Sequence, residues 1–130
     1  MLKLSAMLAT TTALLSLSGT ALAADKTTVN AESTLEHGKN GGYKKTDSVE
    51  NTNSTGTVKN ESETKLKVSN DGSTEKTTTT EHSNDPKGLM NKHTEENTLK
   101  EKDKDGRITR EHIQKVDGKT VYDNTSDKAK

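Results

Sequence analysis

Residues 96–115, ENTLKEKDKDGRITREHIQK, carry the reading that decides the fold. Place Asp105 and Gly106 at the centre of a two-residue turn, and the two halves lie back to back. Glu101 then faces Arg110, Lys100 faces Glu111 and Glu96 faces Lys115. One register yields three opposite-charge pairs, each worth a few tenths of a kcal/mol across an exposed sheet. Only Lys104 against Arg107, beside the turn, works the other way. Asp-Gly is also the dipeptide that tolerates the two successive positive φ values of a type I′ hairpin turn. The stretch is therefore an antiparallel hairpin.

Moving outward, the same turn chemistry recurs at Asn40-Gly41, Asp71-Gly72 and Asp117-Gly118, with a longer signal at Asp85-Pro86-Lys87-Gly88. Two-residue turns at these places set Glu36 opposite Lys45, Ile113 opposite Tyr122 and Val116 opposite Lys119. Around Asp71-Gly72, Thr64, Leu66 and Val68 alternate with Lys65 and Lys67, the period of two that belongs to a strand. No stretch shows a helical face spaced at three and four residues, and the abundant Thr and Asn disfavour helix. Leu35, Leu66 and Leu99 are followed by Gly41, Gly72 and Gly106 at nearly equal distances, a weak repeat of one Leu–turn unit.

Chained together, the hairpins predict strands near 31–38, 43–50, 57–69, 73–82, 90–103, 107–116 and 119–123. Residues 24–56 are expected to form an N-terminal polar segment with one hairpin and a flexible break at 51–56. Residues 57–123 form the meander proper, and 124–130 a disordered tail. The chain has no Cys, Trp or Phe and only 25 % hydrophobic residues. That is too little for a two-layer globule, so the fold class is all-β: a single-layer antiparallel β-meander without a conventional core, partly disordered. Both sheet faces are expected to be polar. The alternative for so hydrophilic and low-complexity a chain is intrinsic disorder throughout. In composition and turns the architecture is similar to the Lys/Glu/Thr-rich single-layer sheet of spirochaete outer surface proteins.

Residues 1–23 have the parts of a signal peptide: Lys3, an apolar run from Leu4 to Leu17, and the small-residue site Ala21-Leu22-Ala23. Export to the periplasm or the extracellular space follows, with no membrane span after cleavage. Positive and negative residues balance at 20 each and are well mixed, leaving no basic tract for nucleic acid. Asn53-Ser54-Thr55, Asn60-Glu61-Ser62 and Asn124-Thr125-Ser126 match the glycosylation pattern. The run Thr77 to Thr80 is a single row of the kind ice-binding sheets carry, too short to build that case, and strand propensity explains it without one.

Asp103-Lys104-Asp105-Gly106-Arg107-Ile108-Thr109 resembles the middle of an EF-hand calcium loop, whose alternate acidic residues, Gly and Ile arrange oxygen ligands around a bend. The resemblance implies calcium as ligand, with Glu101, Asp103, Asp105 and Glu111 as candidate metal residues; no other cofactor is implied. It departs at the last ligand position, where His112 stands and Glu111 comes one place early. His37, His82, His93 and His112 are the nitrogen donors, and the Pro86 turn would set His82 against Lys92 and His93 against Glu81, on opposite faces. No nucleophile–base motif or phosphate loop is present, so catalytic residues are not assigned. The function expected is a non-enzymatic structural or interaction protein, self-associating or binding a protein partner through sheet edges. A hydrophilic periplasmic spacer or stress-protective protein and a calcium-binding module are the alternatives.

Overall fold

A computed structural model describes residues 13–19, 26–88 and 90–129, the first of these as backbone only. Its strands are β1 (Ala13–Gly19), β2 (Thr27–His37), β3 (Tyr43–Asn53), β4 (Gly56–Val68), β5 (Thr74–Pro86), β6 (His93–Lys104), β7 (Arg107–Val116) and β8 (Lys119–Ala129). β2 to β8 form a single open antiparallel sheet of consecutive hairpins, and β1 lies along the β2 edge. Strand order follows chain order throughout, so each strand is paired only with its neighbours in sequence. Of the expected leader, Ala13–Gly19 is β1, and 1–12 and 20–23 lie outside the described residues.

The meander read from turn chemistry is the fold. Lys104↔Arg107, Glu101↔Arg110, Lys100↔Glu111 and Glu96↔Lys115 are all register partners. Asp105 and Gly106 have φ of 52° and 77°, and Asp117 and Gly118 have 50° and 76°, as type I′ turns require.

Elsewhere the register departs from the expected one, each time for a local reason. Glu36 faces Lys44 rather than Lys45, because Gly38–Gly42 closes a longer loop with Gly38 N–H on Gly42 C=O at 2.8 Å. Asn40 ties that loop to the next turn through Val68 C=O and Asn70. At 114–115 a bulge leaves Val121 as the extra residue, so Tyr122 faces Gln114 and Ile113 faces Asp123. Pro86 is not in a turn but ends β5 opposite Gly56, and the connection runs over 87–92. His82 therefore faces Glu95 and His93 faces Asn84, both on the same face.

Two further expectations are corrected. The break at 51–56 is a tight hairpin turn, with Asn53 Oδ1 accepting the Thr55 N–H at 2.8 Å. Residues 124–129 are strand, not tail, and among the described residues strand is the rule where disorder was the alternative.

The faces are not equally polar. Residues directly opposite one another share a face, and alternate residues along a strand do too. The register accordingly gathers Leu35, Leu66, Leu99, Tyr43 and Tyr122 on one side, with Val29, Val49, Val58, Val68, Val116 and Ile108. All four histidines lie on this Leu face. The other, charged face carries mainly Lys, Glu and Thr, with Ile113 its large apolar member. Among the described residues no hydrophobic side chain is buried, and Leu99 remains 55 % exposed. The apolar residues thus lie under neighbouring side chains instead of inside a second layer. Backbone ladders and cross-strand pairs hold the sheet.

Candidate functional site

Three places combine chemistry with position: a corner clip, a groove on the Leu face, and the β8 edge. The clip is at the β7–β8 turn. Asp117 donates its N–H to Thr94 C=O at 2.8 Å, and its carboxylate accepts the Thr94 N–H at 2.8 Å. His93 Nδ1 reaches the same carboxylate at 3.0 Å, and its Nε2 lies 3.4 Å from Glu95. The Thr94 N–H, then the His93 ring, hold the Asp117 carboxyl below the usual carboxylate range. Asp117, then Glu95, raise His93 above the ordinary imidazole value.

A pH window follows. The Asp117 contribution is present above the unfolded carboxylate pKa and is lost as pH falls through the lowered folded value. The His93 contribution is complete below the unfolded imidazole pKa and is lost as pH rises through the raised folded value. The clip is therefore strongest between about pH 4 and 6.5. In thermal melts across pH, Asp117→Ala should lower Tm most inside that window, and the penalty for His93→Ala should fade as pH rises through the raised folded value. A His93→Ala penalty that grows with rising pH would exclude this assignment.

The groove, about 440 Å³, runs over β5 to β8 on the Leu face. Leu99 and Thr78 lie at its base, and His112 meets Tyr122 edge-on with ring centres 5.1 Å apart. Arg110 donates from Nε to Glu101 at 2.7 Å, so these two charges face each other at the groove wall. Asn124 Nδ2 donates to the Tyr122 hydroxyl at 3.1 Å. Sequence reading missed this groove because its parts come from four strands, and the β8 bulge is what brings Tyr122 beside His112.

The four calcium candidates do not converge. Glu101 and Asp103 lie on the Leu face, Glu101 bound to Arg110, while Asp105 sits in the turn and Glu111 on the charged face opposite Lys100. The EF-hand loop wraps its ligands around one centre, whereas a flat hairpin sends residues of opposite parity to opposite sides. Among the described residues no group of three or more His, Asp and Glu side chains is placed to hold a metal ion.

β8 is exposed at every position and pairs on one side only, with β7. Lys119, Asp123, Asp127 and Lys128 charge this edge, and Arg107 anchors Asp127 through Nε at 3.0 and 2.9 Å. Among the described residues no helix is long and apolar enough to cross a membrane. No family model, no curated protein and no solved structure matches this chain.

Proposed function

We propose that this chain is an exported, non-enzymatic structural or interaction protein that works through its open strand edges. The supporting observation is the β8 edge: eleven exposed residues presenting one unpaired side of a sheet with no buried hydrophobic side chain among the described residues. An unpaired strand offers a row of N–H and C=O groups to another strand, and a sheet lacking a core has the most to gain from added ladder. Residues 120–126 carry a single charge, Asp123, so pairing centres there. Cleavage after Ala23 would remove β1 and open the β2 edge as well, giving two ends for head-to-tail growth into fibres, a matrix or a surface layer. A protein partner adding its own strand to β8 uses the same chemistry.

The test uses two adjacent prolines. Successive N–H groups along a strand point to opposite sides, so one of Asn124 and Thr125 donates outward and the other toward β7. In size-exclusion with light scattering, one of Asn124→Pro and Thr125→Pro should abolish concentration-dependent assembly with Tm unchanged. The other should lower Tm. A wild-type chain that stays strictly monomeric at high concentration, or assembly untouched by either proline, refutes the edge reading.

A further inference from the structure

Of the ten asparagines in the chain, Asn40 is the one followed by glycine. That dipeptide has a chemistry of its own. The backbone nitrogen that follows an asparagine can attack the side-chain amide carbon, and glycine, lacking a Cβ, hinders the attack least. Asn40 and Gly41 are both exposed, and nothing lies within 4 Å of where a Gly41 Cβ would stand. Water and hydroxide therefore reach this peptide bond.

The fold restrains the reaction in two ways. Asn40 has φ 55° and ψ 28°, a left-handed conformation that turns the Gly41 nitrogen away from the Asn40 Cβ. Closing a ring through the side chain needs that nitrogen on the Cβ side. The side chain is hooked as well: Nδ2 donates to Val68 C=O at 3.2 Å and to Asn70 Oδ1 at 2.9 Å. Both hooks are exposed to solvent, so they can open locally while the sheet stays folded. They belong to the loop that sets the β2–β3 register. There Gly38 N–H meets Gly42 C=O at 2.8 Å, and Gly42 N–H meets Lys39 C=O at 2.9 Å. Gly42 presses that loop against β4, since a Cβ on it would stand 2.7 Å from the Leu66 carbonyl oxygen.

We propose that Asn40 is a site of spontaneous deamidation, a latch on the β2–β3 loop that the fold holds shut and that opens once. In the opened loop the Gly41 nitrogen loses its proton to hydroxide and bonds to Asn40 Cγ. The Cγ–Nδ2 bond breaks, and the side-chain nitrogen leaves as ammonia with a proton from water. Water then opens the resulting succinimide. Breaking the bond from the Gly41 nitrogen to Cγ gives aspartate; breaking its bond to the Asn40 main-chain carbonyl carbon gives isoaspartate. One water is consumed, one ammonia released, and nothing is oxidised or reduced. Either product carries a carboxylate in place of the amide. It has no proton to offer Val68 C=O, so that hook is lost, whereas Asn70 can turn its own amide and keep contact. Isoaspartate also adds a carbon to the main chain inside the loop that Gly38 and Gly42 close, so the loop releases from β4. The site is independent of the strand-edge reading.

Peptide mapping by mass spectrometry on the full chain, incubated at neutral and mildly alkaline pH, tests the latch. The unit mass gain of amide to acid should build up at residue 40 ahead of the nine other asparagines, faster in alkali, with isoaspartate in the product. Asn70→Ala removes one hook from an exposed turn. It should speed the gain at residue 40 by about threefold or more, with Tm and the other sites unchanged. The chain unfolded in guanidinium should convert faster still. In the converted fraction, hydrogen exchange should show protection lost at the Gly38 and Gly42 amides and kept in the β6–β7 ladder. Another asparagine converting first, a rate at residue 40 untouched by Asn70→Ala, or unchanged exchange at Gly38 and Gly42 overturns the proposal.

Discussion

Gly56→Ala is expected to cost about 3 kcal/mol or more and to lower Tm by roughly 10 °C or more. Gly56 has φ 147°, a region closed to residues with a Cβ, and it opens β4 opposite Pro86 at the end of β5. A Cβ built there would stand inside the Asp85 carbonyl oxygen, 2.7 Å from Pro86 Cα and 3.0 Å from Lys87 N. All three are backbone, so no rotamer change makes room. Lys87 N–H also donates to Thr55 C=O at 2.7 Å, binding the 54–55 turn to the end of β5. The clash thus strikes where β3, β4 and β5 are joined. Gly72→Ala is the control: its φ is also positive, but nothing lies within 4 Å of the added atom, and about 1 kcal/mol should be lost. Equal Tm values for the two variants would show that the close approach at Gly56 is not what the fold depends on.

Thr79→Pro should divide the molecule. Thr79 sits mid-strand in β5, between Glu63 on β4 and Thr98 on β6. Proline there removes a ladder donor and forces a ring into a central strand, costing about 3 kcal/mol or more. In a globule such a loss spreads through the core. Here every strand touches only its sequence neighbours, so stability is close to a sum of consecutive hairpin interfaces. Amide hydrogen exchange should show protection lost in β5 and the facing sides of β4 and β6. It should persist in the β2–β3 and β6–β7 ladders. Uniform loss across all strands would mean a cooperativity that a single-layer meander does not supply.

How far the fold was legible follows the turns. The Asp105-Gly106 register was readable in full because a two-residue type I′ turn leaves no freedom in which residues face each other. At Asn40-Gly41 the same reasoning slipped by one residue, since Gly38 and Gly42 lengthen the loop and their backbone bond sets the pairing. Pro86 misled for a different reason. Proline favours turns, but a strand end opposite a glycine also accepts its fixed φ and missing N–H, and which of the two applies depends on β4. The tail at 124–129 looked disordered for want of apolar residues, yet β7 supplies its ladder.

The site was less legible than the fold. Glu101, Asp103, Asp105 and Glu111 are close in sequence, and strand parity separates them. His112 and Tyr122 are ten residues apart and come together only because the bulge at Val121 advances β8 by one place.

From composition and local pattern alone come the strands, most of their turns and the lack of a hydrophobic interior, because these depend on torsional preference and on how much apolar surface the chain owns. Pairing across the sheet was needed to sort the side chains into a Leu face and a charged face. Those properties belong to the register, a relation between residues on neighbouring strands, and a shift of one place in any hairpin would send its strand's side chains to the other side.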